Sequence, residues 1–541
     1  MTENTTPAKR TLDDVGPDDR LSPFELKDLL IRAASSDAHR LMLNAGRGNP
    51  NFLATVPRRA FLRIGEFAVE ESERSYSYLD SGFGGQPRLD GLVDRFDTFV
   101  SRYPDDPGVR FLRSALSFAD DQLGLDEHAF LAELVEASLG SNYPTPPRIL
   151  EHCEQIVERY LRQEMGDASL SFSLFATEGG TAAMTYLFQS LFANELLHPG
   201  DKIAIGTPIF SPYLEIPVLP GYDLGVVDIR LDQDADWQYP DAELDKLLDP
   251  AVKVFCLVNP SNPPSTKLSD ERLHAIAELI RTKRPDLVVI TDDVYGTFAD
   301  DFTSLFAVAP ANTILVYSFS KFFGATGWRL GVIGVHEENV VDAAIRALPA
   351  DVTDRLAKRY SSLTDDVAGL RFIDRLVADS RAVALNHTAG LSLPQQLQMT
   401  LFAVHGLVDR RGHYKEAAKS LIRQREQTLY ANVGAPYRFE PEDVDYYTLV
   451  DLQRLAAELH GAGFANWFAA GAHGRDYLFR LARETGVVLL PGKGFEVVDA
   501  SARVSLANLA EWEYVAIGRF TRKVLDEYYA QYSAENGTPK E

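Results

Sequence analysis

Thr313-Ile-Leu-Val-Tyr-Ser-Phe-Ser-Lys-Phe-Phe-Gly324 is an apolar run that ends in a polar turn around one lysine. Its β-branched and aromatic residues predict a strand buried on both faces. The runs Ile203–Ile205, Val254–Val258, Leu287–Thr291 and Gly331–Val335 have the same character, with helical stretches between them. Such alternation predicts an α/β core: a mainly parallel central sheet with helices on both faces. Beyond residue 440, strands at Thr448–Leu452, Val487–Leu490 and Arg503–Leu506 mix with helices, the last near Glu511–Tyr529. This part reads as a smaller α+β domain.

Upstream of the core the pattern is helical: Pro23–Leu43, then 60–136 broken by Gly82, Gly84, Gly85, Pro104 and Pro107, then Arg148 to about Glu164. Helical periodicity returns at 338–385 and 395–432. At 541 residues the chain is expected to form two or three lobes. The expected divisions are a mobile arm over 1–20 and an N-terminal part of the small domain over 21–59. A helical insertion covers 60–140, the large domain 141–405 with a second insertion at about 348–385, and the C-terminal small domain 406–541.

Lys and Arg number 54 against 78 Asp and Glu, a net charge of −24. A surface that negative repels nucleic acid and anionic lipid, so neither is expected as a partner. Cys153 and Cys256 lie in apolar segments and read as buried packing thiols. The histidines have no paired metal-ligand spacing, so no catalytic metal is expected. The chain has neither a run of about 18 apolar residues nor a signal-peptide pattern, so the expected location is the cytoplasm.

Lys321 follows its strand among apolar residues and precedes Gly324, Gly327 and Arg329. A lysine amine held in a dry pocket near another cation is a nucleophile able to form a Schiff base; otherwise it is a snorkelling strand-end lysine. Leu287-Val-Val-Ile-Thr-Asp-Asp-Val-Tyr295 ends its strand in Asp292 and Asp293, either facing a ligand crevice or capping a helix. Phe175-Ala-Thr-Glu-Gly-Gly-Thr181 opens a helix on bare amides and a hydroxyl, a cradle for phosphate. Val258-Asn-Pro-Ser-Asn-Pro-Pro264 fixes turn geometry and points two amides inward, or is an ordinary loop. Arg503, in Ala502-Arg-Val-Ser-Leu-Ala-Asn508, starts a strand among apolar residues; its fork fits a carboxylate ligand or a structural salt bridge.

In this order, with Asp292-x-x-Tyr295, Ser318-x-x-Lys321 and Lys321-x₇-Arg329, the motifs resemble the fold-type I aminotransferases, which use pyridoxal 5′-phosphate. The resemblance covers about residues 40–510. It implies Lys321 as the Schiff-base lysine and Cα proton shuttle, and Asp292 as partner of the ring nitrogen. Tyr295 and Asn262 would bond the ring hydroxyl, and Gly180, Thr181, Ser318 and Arg329 would hold the phosphate. Phe210 would stack on the ring, with Tyr213 in reserve. Arg503, with Asn262, would bind the substrate α-carboxylate. Tyr143 and Thr388 match residues that reach across a dimer interface, so the resemblance implies active sites shared between two copies.

The chain departs from the plain aminotransferase pattern in two ways. It carries the insertions, and His387–Ser392 lacks the arginine that aspartate aminotransferases lend to the partner's site. Instead Arg47 interrupts the loop Asn44-Ala-Gly-Arg-Gly-Asn-Pro50. Length, this loop and Asn259-Pro-Ser-Asn-Pro-Pro-Ser265 are similar to the aspartate 4-decarboxylase family. That likeness implies conversion of L-aspartate to L-alanine and CO₂, with transamination as a side reaction. It implies Arg47 as a loose holder of the distal carboxylate, and a homo-oligomer as large as a dodecamer. The alternative is an aspartate or alanine aminotransferase without decarboxylase activity.

Overall fold

The computed structural model describes residues 23–35, 41–80, 82–384, 390–470, 473–497 and 500–537. The expected arm over 1–20 and Thr388 lie outside them.

The strands, in chain order, are β1 (Leu43–Asn44), β2 (Phe172–Thr177), β3 (Lys202–Thr207), β4 (Gly225–Arg230), β5 (Val252–Val258) and β6 (Val288–Asp292). There follow β7 (Thr313–Ser318), β8 (Gly331–His336), β9 (Tyr447–Asp451), β10 (Val487–Val488), β11 (Leu490–Pro491) and β12 (Ser501–Ser505). The central sheet has the order β2-β8-β7-β6-β5-β3-β4. From β7 to β4 every pairing is parallel, while β8 runs antiparallel to both neighbours. The Gly331–Val335 run is therefore not part of the parallel set. The chain between β7 and β8 holds only a short 3₁₀ turn at Thr326–Trp328, too little for a crossover helix, so the strand folds straight back.

The strands of this sheet that the apolar runs announced are buried almost throughout, which is why they read as unbroken hydrophobic runs rather than alternating ones. β3, β5, β6 and β7 direct their carboxyl ends toward one edge, where the order of such sheets places ligands.

The smaller antiparallel sheet β11-β12-β9 packs on the helix Leu452–His460 and is tied to the long helices His413–Val433 and Glu511–Asn536 by the Tyr430–Thr448 and Tyr514–Ser505 hydrogen bonds. The N-terminal segment joins this region: β1 pairs with β10, and the helix Pro23–Ala34 packs on His473–Thr485. Leu43 thus begins a strand rather than ending a helix. The helix expected from Arg148 starts at Glu151. The residues before it bond elsewhere: the Arg148 carbonyl accepts from Ala176 N and the Leu150 amide donates to Gln396.

Residues 60–140 hold the helices Thr55–Ser75, Leu92–Ser101, Pro107–Leu123 and Glu127–Leu139, and the second insertion holds Ala350–Tyr360 and Phe372–Ala384. Among the described residues no helix is long and apolar enough to cross a membrane. Both cysteines are buried, and Cys153 packs its sulfur against the Gln396 carbonyl.

Candidate active site

A cavity of about 360 Å³ opens at the carboxyl edge of the sheet. It gathers Asn262 from after β5, Asp292 from the end of β6, Ser318 from the end of β7 and Lys321 from the turn after it, Phe210 from after β3, and Gly180 and Thr181 from the helix after β2. The small sheet closes it with Tyr447 of β9 and Arg503 of β12, and the loop after β1 adds Gly46, Arg47 and Gly48.

The strand-end dyad resolves into two roles. Asp292 lines the cavity and accepts hydrogen bonds from Tyr213 Oη (2.6 Å) and the Val294 amide (3.2 Å). Burial pushes its carboxyl up, against those bonds and the charge of Lys321. Asp293 turns into the core, bonded by Thr291 (2.5 Å) and by the Ser304 hydroxyl, and burial pushes it up to about 7. Tyr213 therefore supports Asp292 from behind and is not a stacking candidate; Phe210 faces the cavity.

The two amides of the Asn-Pro segment also part ways. Asn262 is 2 % exposed, reaches the Tyr295 hydroxyl at 3.4 Å and accepts from Arg503 at 2.9 Å. Asn259 instead accepts from the Leu268 amide at 2.9 Å, so only one amide points into the site.

The helix Gly180–Ala193 begins on Gly179 with no side-chain cap. Its first amides are therefore available to an anion, reinforced by the helix dipole. Gly179 is required here: its φ is +88°, and a Cβ would lie 2.7 Å from Arg329 Nη2. Arg329 stands beside this terminus, anchored to the carbonyls of Thr326 and Glu178. Ser318 Oγ lies 2.8 Å from Ser320 Oγ on the same rim. Bare amides, hydroxyls and a guanidinium form a donor set suited to a phosphate dianion.

Lys321 Nζ donates to the Gly48 carbonyl at 3.1 Å, which also accepts from Tyr446 Oη at 2.8 Å. Arg503 is 3 % exposed and donates to Asn262 and, at 3.0 Å, to the Gly46 carbonyl. Its guanidinium lies between the rings of Tyr447 (4.1 Å) and Phe495 (4.7 Å). Among the described residues no carboxylate pairs with it, and its Nε has no partner. The structural-salt-bridge reading of this arginine therefore fails.

Arg47 is an exposed residue of the cavity wall. Tyr143 is 76 % exposed and does not line the cavity of its own chain. Sequence reading missed Tyr447, Ser320 and Lys27, which all line it. The only signal for Tyr447 was its place two residues diagonal to Arg503 on paired strands, since Tyr447 stands opposite Ser505.

Burial, the Arg503 guanidinium and an anion cradle meet here around the Lys321 amine, with Lys27 and Arg47 also on the wall. Such a site can hold a phosphorylated aldehyde on Lys321 and a carboxylate on Arg503.

The family model for aminotransferase class I and II matches residues 127–516. A bifunctional aspartate aminotransferase and L-aspartate beta-decarboxylase from Pseudomonas sp. is 58% identical over 95% of this chain and 97% of its own. An aspartate aminotransferase from Thermotoga maritima is 28% identical over 37% of this chain and 52% of its own. Among solved structures, the Thermus thermophilus aspartate aminotransferase with maleate aligns with a TM-score of 0.56 at 17% identity, over 95% of this chain and 97% of that one.

Proposed function

Because this chain belongs to the class I and II aminotransferases, we propose that it converts L-aspartate to L-alanine and CO₂, with aspartate transamination as its second activity. The near full-length likeness to the bifunctional Pseudomonas protein supports the reaction. The observation that carries it here is Arg503, a buried guanidinium without a carboxylate, facing the same cavity as Lys321.

The residues fit pyridoxal 5′-phosphate. Gly180, Thr181, Ser318 and Arg329 would hold its phosphate at the uncapped helix start. Asp292, whose carboxyl burial pushes up, would pair with the ring nitrogen. Tyr295 and Asn262 would face the ring hydroxyl, and Phe210 would cover one face of the ring. When bound, the cofactor supplies an electron sink conjugated to the substrate's amino nitrogen.

The chain's own residues then divide the work. Arg503 and Asn262 bind the α-carboxylate and fix the substrate's orientation. Lys321 Nζ removes the Cα proton and later returns it. Arg47, exposed on the wall, holds the distal carboxylate loosely. A tight ion pair would stabilise that carboxylate and oppose its loss; a loose one leaves decarboxylation open. Arg47→Ala is expected to change the ratio of alanine to oxaloacetate, and an unchanged ratio would remove Arg47 from the site. Tyr143 and Thr388 of a second copy would complete the phosphate site, in a homo-oligomer built on a dimer and extending to a dodecamer.

Proton NMR of the purified protein with pyridoxal phosphate and L-aspartate tests the reading. Alanine accumulating with no added keto acid is the expected result. Turnover that requires 2-oxoglutarate and gives only oxaloacetate and glutamate would make the chain a plain aminotransferase.

A further inference from the structure

Tyr447 sits where the buried Arg503 guanidinium and the half-buried Lys321 amine converge. Its ring packs under the Arg503 guanidinium at 4.1 Å, and its hydroxyl lies 3.1 Å from that of Tyr295. A Cβ placed on Gly48 would be 2.3 Å from the Tyr447 hydroxyl and 3.3 Å from Lys321 Nζ. Phenol and amine therefore face one point in the loop that carries Arg47.

Three phenols cluster here, and only one is poised to lose its proton. Burial alone would push Tyr447 up. The charges of Lys321 and Arg503 and the hydrogen bond from Tyr295 outweigh it and hold Tyr447 below the usual phenol range. Burial pushes Tyr295 and Tyr446 well above it.

We propose that Tyr447 is a catalytic residue, the proton donor to the substrate's side-chain carbon Cβ, while Lys321 serves Cα. The proposal rests on the β-decarboxylase reading. Loss of CO₂ leaves the bonding pair on the substrate, and Cβ needs a proton to become the methyl group of alanine. The Cβ–carboxyl bond breaks and CO₂ departs. The Tyr447 O–H bond then breaks, its proton and the retained pair form the new Cβ–H bond, and solvent reprotonates the phenolate. The overall change is one carboxylate and one proton converted to CO₂ and one C–H bond, with no oxidant or reductant. Transamination ends before this step and has no use for a second donor, so Tyr447 separates the two activities.

Tyr447→Phe in the full-length holoenzyme removes only the hydroxyl. With L-aspartate in D₂O, NMR reads Cα exchange and Cβ deuteration of alanine separately. Alanine formation is expected to fall about 100-fold, far more than Cα exchange, with a larger share of oxaloacetate. The cofactor-free chain gives an independent readout. Its tyrosinate absorbance should show one phenol ionising before the others, and Tyr447→Phe should lack that step. 3-Fluorotyrosine at 447, a more acidic phenol, should move this step and the alkaline limb of alanine formation to lower pH together. Equal losses of Cα exchange and alanine would reduce Tyr447 to a structural role and overturn the proposal. So would a Tyr447→Phe variant that forms alanine at the wild-type rate. A wild type that forms no alanine would instead overturn the decarboxylase reading, and the proposal with it.

Discussion

A guanidinium removed from water normally finds an anion, because an unpaired buried charge is expensive. Arg503 has only carbonyl-type acceptors, two aromatic faces and an idle Nε. Truncating one partner of a buried, hydrogen-bonded charge pair costs about 2–5 kcal/mol. Arg503→Ala should therefore lower kcat/KM for L-aspartate by about 100-fold or more. Arg503→Lys should recover only part, since an ammonium has no fork. A loss below about fivefold in steady-state assays would take Arg503 out of substrate binding. Lys321, Asp292, Asn262 and Arg503 were legible because each stands at or beside a strand end, where local spacing fixes its direction. Tyr447 was not legible in the same way. Asp445-Tyr-Tyr-Thr448 looks like ordinary aromatic strand, and its meaning comes from cations brought by β12 and by the turn after β7.

Among the elements, the start of the helix Gly180–Ala193 is constrained by Gly179. Gly179→Ala meets both a left-handed φ and the Arg329 guanidinium. It should destabilise the chain by about 1–3 kcal/mol and weaken phosphate binding. Titration of the cofactor-free protein with pyridoxal phosphate, alongside thermal melting, checks both; unchanged affinity would mean that Arg329 moves aside without consequence. A second constraint lies between Glu426 of the helix His413–Val433 and Asp445, two residues before β9. Glu426 Oε2 has no hydrogen-bond partner among the described residues, and burial together with the Asp445 charge pushes its carboxyl well up. Burial pushes both up, with Arg423 and Lys419 countering at Asp445 and Asp443 itself raised to about 6. A carboxyl raised in the folded chain keeps its proton after the unfolded chain has lost it. That stability is complete below the ordinary carboxylate range and lost as pH rises through the folded value. Glu426→Gln lacks this proton, so its melting temperature relative to wild type should climb as pH rises above the ordinary carboxylate range. Parallel curves would show that the pair holds no proton. The buried parallel strands were visible as apolar runs. β2 and β4 were not: β4 is largely exposed or half-buried, and β2 took its place by pairing with the reversed β8.

At the scale of the molecule, the segment 60–140 has no described residue in the cavity lining. It does expose large apolar side chains, with Leu62, Tyr78 and Phe83 more than half exposed. Tyr143 is likewise exposed and does not line the cavity of its own chain. Both features suit association of copies, but each copy carries a net charge of −24. Bringing such copies together works against Coulomb repulsion, while apolar contacts favour it. Salt separates the two terms, because the screening length falls from about 10 Å at 0.1 M to about 3 Å at 1 M. Sedimentation velocity at fixed protein concentration should therefore show the larger species gaining as sodium chloride rises. A shift toward smaller species would mean that ion pairs hold the interface. Specific activity offers the complementary readout. If Tyr143 of one copy completes the phosphate site of the next, activity and cofactor affinity should rise together with the assembled fraction. Tyr143→Phe should then weaken cofactor binding without changing the sedimentation profile. Full cofactor affinity in a dilute, monomeric sample would show that each chain builds its phosphate site alone.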